Sequence, residues 1–168
     1  MPKTSLQKIV PHLWYAKGAE EAARFYAATF PDSHVDRVTT LPAESGVGPA
    51  GSVIIVDFTL FGQTFMAMDA GPNDPFNEAI SFRVNCSSQA EIDSYWDALL
   101  KGGGKPRACG WLVDKYGVRW QIVPEVLAEM ISDPDRAKAG RVAAEMLSQG
   151  KFDIAKLKKA FGGSSKKP

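Results

Sequence analysis

The sequence predicts an α+β protein: paired βαβββ modules forming a cupped mixed sheet, with a C-terminal helical extension. Three observations carry this. A strand, an amphipathic helix and strands ending in a tight hairpin occur in that order twice. A turn-rich segment, Gly71-Pro72-Asn73-Asp74-Pro75, divides the copies. After Pro124 the apolar spacing becomes helical throughout. A repeated unit that cannot close its own sheet pairs with its copy and leaves a concave surface, where a binding site is expected.

Residues 9–15 read as the first strand, and alternation puts His12 on one face with Val10 and Trp14. Ala19, Ala22, Ala23, Tyr26, Ala27 and Phe30 then recur at helical spacing until Pro31 stops them. Residues 35–40 form a weaker strand. Residues 53–60 and 65–68 form a hairpin, because Phe61-Gly62-Gln63 leaves room only for a turn. In the second copy, residues 79–84 read as the strand. Ile92, Tyr95, Trp96, Leu99 and Leu100 mark a helix that Ser88 and Glu91 open as a capping box. Gly102-Gly103-Gly104 ends it, and a second hairpin over residues 111–123 turns at Lys115-Tyr116-Gly117. On its return strand Arg119 and Gln121 share one face, with Trp120 and Ile122 on the helix side. Beyond Pro124, residues 125–131, a segment opening at Asp133-Pro134 and residues 153–161 are helical, and residues 162–168 are expected to fray. The modules are residues 1–70 and 71–124, with the extension at 125–168, in one domain overall.

With 45% hydrophobic and 23% charged residues in 168, the chain can bury a core without metal or disulfide. A net charge of +1 gives no reason to expect nucleic acid as a partner. Cys86 and Cys109 lie outside any C-x-x-C pair, which fits a reducing cytoplasm. The start, Met-Pro-Lys-Thr-Ser-Leu-Gln-Lys, has no apolar signal core, and no apolar run is long enough to span a bilayer. A cytoplasmic protein with no membrane partner is expected.

The segments Ile9-Val10-Pro11-His12-Leu13-Trp14, Ala19-Glu20-Glu21-Ala22 and Phe30-Pro31-Asp32-Ser33 continue with Glu78-Ala79-Ile80-Ser81-Phe82. They are joined by Cys109-Gly110-Trp111, Asp114-Lys115-Tyr116-Gly117 and Trp120-Gln121-Ile122-Val123-Pro124. Together they resemble the vicinal oxygen chelate (glyoxalase/bleomycin-resistance/dioxygenase) superfamily. The likeness is to its PhnB-like branch, also labelled 3-demethylubiquinone 3-methyltransferase-like. The resemblance implies a cupped eight-stranded sheet, a homodimer and, in metal-dependent members, His and Glu ligands on the inner strands. Such a cation acts as a Lewis acid on neighbouring substrate oxygens.

Matched position by position, His12 stands where the first ligand belongs. The position opening the second half falls on Ala79, which cannot ligate, beside Glu78, which can. The last, four residues after Gly117, is Gln121, a neutral amide. The weak metal candidates are therefore His12, Glu78 and Asp69, and no cofactor is expected. His12 and Glu78 are the candidates for acid–base work. The expected ligand pocket comprises His12, Trp14, Phe65, Glu78, Trp111, Arg119 and Gln121, with Arg119 as an anchor for an anion.

The run Gly46-Val47-Gly48-Pro49-Ala50-Gly51 matches G-x-G-x-x-G but leads into a strand instead of opening a helix, so no dinucleotide or S-adenosylmethionine loop is expected there. The functional expectation is a small-molecule-binding protein with a degenerate metal site. A metal-dependent lyase, isomerase or dioxygenase of the glyoxalase type and a drug-sequestering resistance protein are the alternatives.

Overall fold

The computed structural model describes residues 7–163. Residues 1–6 and 164–168 lie outside the described residues; of the end expected to fray at 162–168, Gly162 instead closes the last helix and Gly163 caps it. The chain divides into two compact units, Met1–Asp74 and Pro75–Pro168, so the boundary falls in the Pro/Gly segment.

In the first unit the elements run β1 (His12–Tyr15), α1 (Ala19–Thr29), β2 (His34–Thr40), β3 (Ile54–Leu60) and β4 (Gln63–Asp69). The sheet order is β1-β4-β3-β2, with β1 parallel to β4 and the other pairs antiparallel. The β3–β4 turn is two residues, Phe61 and Gly62, both at positive φ (48° and 75°), the geometry that matches the twist of a hairpin. One sheet face carries Leu13, Val56, Phe58, Phe65 and Ala67, all buried, and α1 covers it with Ala22, Ala23 and Tyr26. The other face carries His12, Trp14, Met66 and Met68, set by the in-register pairs His12–Met66 and Trp14–Met68.

The second unit repeats the plan with β5 (Phe82–Cys86), α2 (Gln89–Leu100), β6 (Lys105–Pro106), β7 (Trp111–Val113) and β8 (Arg119–Pro124), ordered β5-β8-β7-β6. Ser88 caps α2 by accepting from the Glu91 N–H (3.2 Å), while the Glu91 carboxylate accepts from the Ser87 N–H (2.7 Å). That is the expected capping box, reaching one residue further back. The β7–β8 loop is organised by Asp114, which accepts from the N–H groups of Tyr116 and Val118 and from the Trp120 indole (2.8 Å). Leu112, Trp120 and Ile122 are buried on the α2 side.

Three further helices, α3 (Val126–Ile131), α4 (Arg136–Ser148) and α5 (Ile154–Gly162), belong to this unit. Hydrogen bonds and the Lys151–Asp93 ion pair (2.9 Å) tie them to the rest of the unit. The N–H groups of Cys109 and Gly110 donate to the carbonyls of Gln149 and Gly150 (2.8 Å each). Gln89, at the start of α2, donates to the Phe152 carbonyl and accepts from the Ile154 N–H. Phe152 itself is buried against Gly110. No helix among the described residues is long and apolar enough to cross a membrane.

Candidate functional site

The strand expected at residues 79–84 begins only at Phe82. The Asn77 side chain accepts from the Ala79 N–H (2.8 Å), an Asx turn that holds Glu78 to Ile80 out of the sheet. This shift changes which residue corresponds to His12. In the first unit His12 lies opposite Met66, four residues after the turn glycine Gly62. In the second, the residue opposite Gln121, four after Gly117, is Arg83. The position expected at Ala79 or Glu78 is therefore occupied by a guanidinium.

The other expected site residues separate by face. His12 and Trp14 do lie together on the open face of the first sheet, and the Trp14 indole donates to the Gly71 carbonyl (3.2 Å). Phe65 does not join them: it is 6% exposed and stacks on Phe58 in the core beneath α1. Alternation from Met66 places it on the helix side. Asp69 is also otherwise engaged. It accepts from the Ala19 N–H (2.6 Å) and supplies, from a neighbouring strand, the helix cap that Gly18 lacks.

In the second unit Glu78 is exposed in its turn and pairs with Arg119 (3.3 Å). Hydrogen bonding and charge from that guanidinium hold the Glu78 carboxyl below the usual carboxylate range, which suits an ion-pair partner better than a proton donor at neutral pH. Arg119 also donates to the Gly117 carbonyl, so its fork is spent on Glu78 and the loop, and its buried Nε has no partner among the described residues. It is a poor anchor for an added anion.

What the second unit does assemble is a row on the open face of its sheet. Arg83 pairs in register with Gln121, and Gln121 with Trp111. The Gln121 amide donates to the Ser81 hydroxyl (2.8 Å). Above this row α3 and α4 supply Leu127, Ile131 and Met146, and with Phe152 they line an open cleft of about 380 Å³. Cys109 borders it from a left-handed conformation (φ 57°). Arg83, Cys109 and the wall formed by α3 and α4 were missed by the sequence reading. Counting four residues on from each turn glycine, then crossing the ladder, is the signal that finds Arg83.

The corresponding strand positions offer an imidazole (His12) and a thioether (Met66) in the first unit, and a guanidinium (Arg83) and an amide (Gln121) in the second. Neither pair by itself makes a site for a hard or borderline divalent cation, which requires several carboxylate or imidazole donors and repels a fixed positive charge. Among the described residues no group of three His, Cys, Asp or Glu side chains is placed to hold a metal ion.

The repeated unit, its sheet order and its open strand face define the vicinal oxygen chelate fold. The fosfomycin resistance protein FosX of Mesorhizobium loti shares that fold at 14% identity, with a TM-score of 0.55 over 76% of this chain and 98% of its own. The chain belongs to the family described as 3-demethylubiquinone-9 3-methyltransferase, whose pattern matches residues 7–123. A PhnB protein of Bacillus cereus, provisionally named for that same activity, is 34% identical, with a TM-score of 0.62 over 70% of this chain and 99% of its own. A protein of Pseudomonas aeruginosa is 22% identical, with a TM-score of 0.54 over 71% of this chain and 98% of its own. No curated protein matches the chain.

Proposed function

We propose that the protein binds a small organic molecule in the second unit and does so without a resident metal. The observation that carries this is the cleft between the Arg83–Gln121–Trp111 row and the α3–α4 wall. Its mix of an apolar wall with a few convergent polar groups is the usual make-up of a ligand site. The metal-free half rests on the donor set, since Arg83 and Gln121 stand where a cation would need anionic or imidazole ligands. Methyl transfer, the activity in the family description, finds no support in the glycine-rich run at Gly46–Gly51. It leads into β3 and opens no helix whose N–H groups could meet a cofactor. We extend the reading to a cytoplasmic homodimer, on the family resemblance and the unpaired cysteines.

Two measurements on tag-free protein test the reading. Elemental analysis is expected to find zinc, nickel, manganese and iron well below one per chain. A stoichiometric metal that His12→Ala removes would overturn the metal-free half. Ligand-observed NMR with a fragment mixture is expected to find binders that Ala128→Trp, which fills the cleft from α3, displaces. Binders indifferent to that change would overturn the assignment of the cleft.

A further inference from the structure

Among the described residues Arg83 is the one charged side chain on the lining of the cleft, and no aspartate or glutamate borders it. The Arg83 Nε is held by Asn85 (2.9 Å), which orients the guanidinium, and its two Nη groups have no protein partner among the described residues. A planar fork with both ends open is the arrangement that takes a carboxylate through two parallel hydrogen bonds. Arg119, two residues before Gln121 on the same face, makes the contrast, because its fork is already filled by Gly117 and Glu78.

Gln121 adds a second requirement. Its Nε2 is committed to Ser81, leaving Oε1 as an acceptor with no partner among the described residues. Paired strands lie about 4.8 Å apart, so this acceptor and the Arg83 cation occupy neighbouring positions on the sheet. The next position in the row is Trp111, a flat aromatic surface, and the facing wall of Leu127, Ile131, Met146 and Phe152 is apolar. A volume of about 380 Å³ is near the small end of ligand pockets, roughly 300–1,000 Å³.

We infer that the cleft takes a small monocarboxylate on an aryl or branched-alkyl body, its carboxylate on Arg83 and a neighbouring hydroxyl or N–H on Gln121. This rests on the binding role proposed above and names its ligand class. Phenylacetate, its neutral counterpart phenylacetamide and the hydroxyl-bearing mandelate separate the two requirements by titration calorimetry. Phenylacetate is expected to bind at least roughly tenfold tighter than phenylacetamide, the factor a charge-assisted hydrogen bond supplies. The preference is expected to vanish in Arg83→Gln, to survive in part in Arg83→Lys and to weaken with added salt. Mandelate is expected to exceed phenylacetate in the natural protein and not in Gln121→Leu.

Equal affinity for acid and amide, or acid binding unchanged by Arg83→Gln, would overturn the ligand class and leave the cleft as a binding site. Acid binding that Ala128→Trp fails to block places the acid elsewhere and overturns the inference. If neither acid nor amide binds to protein shown folded by circular dichroism, both the inference and the binding role proposed for the cleft fall.

Discussion

Gly110 shows how much one position can decide. Its φ is +76°, and an added Cβ would sit 2.4 Å from Phe152 Cε2 and 2.8 Å from the Ile122 carbonyl oxygen. Repacking can displace the ring, but the carbonyl belongs to β8, an inner strand of the sheet, and has nowhere to go. Gly110→Ala is therefore expected to cost on the order of 1–3 kcal/mol, or more if Phe152 leaves its site. Urea denaturation followed by circular dichroism measures it, and an unchanged midpoint would refute the packing account. Single residues also mark where sequence reading stops. His12 was legible because its own strand alternates through it. Arg83 was not, because the Asn77 turn that delays β5 is a side-chain-to-backbone contact with no apolar periodicity. Phe65 was misplaced for a related reason: an aromatic on a strand reads alike on either face until the register is known.

Caps and tethers govern the elements. The Asp135 carboxylate opens α4 by accepting from the N–H groups of Lys138 and Ala137, and the Lys138 contact is the main reason its pKa is lowered. Asp93 on α2 has its pKa lowered too, first by the hydrogen bond from Lys151 (2.9 Å), the residue that precedes Phe152. A carboxyl whose folded pKa lies below its unfolded value stabilises the fold above the ordinary range near ~4 and loses that effect as pH falls through the folded value. The Lys151 pKa is raised by the same partner, so its contribution persists at neutral pH and is lost only in strong alkali. Acidification below about pH 4 is accordingly expected to loosen α4 and α5 before α2 and its sheet. Amide hydrogen exchange on an acid series would show this order, and simultaneous loss of protection would contradict it. The α2 capping box was readable from Ser88 and Glu91, being local. The tether through Lys151 spans more than fifty residues and leaves no local trace in the sequence.

At the scale of the molecule, the duplication was legible because each copy repeats strand, helix and hairpin at similar spacing. The two sheets indeed share one strand order. The role of the chain beyond Pro124 was not legible, since an apolar helical stripe does not say what it covers. Leu127 and Phe152 are both buried, and each such side chain contributes roughly 1.5–3 kcal/mol. Ending the chain at Pro124 should therefore lower the melting temperature by on the order of 10 °C or more. A calorimetric scan matching that of the whole chain would show the extension to be an ornament.

The pairing of Arg83 with Gln121 also bears on how this chain can change over evolutionary time. Gaining a cation site at that row of the second sheet would require both to be replaced by anionic or imidazole donors. Replacing Arg83 alone leaves the donors too few and removes the cation that the described residues give the cleft. Any route from this chain to a Lewis-acid centre there crosses a valley instead of climbing a slope.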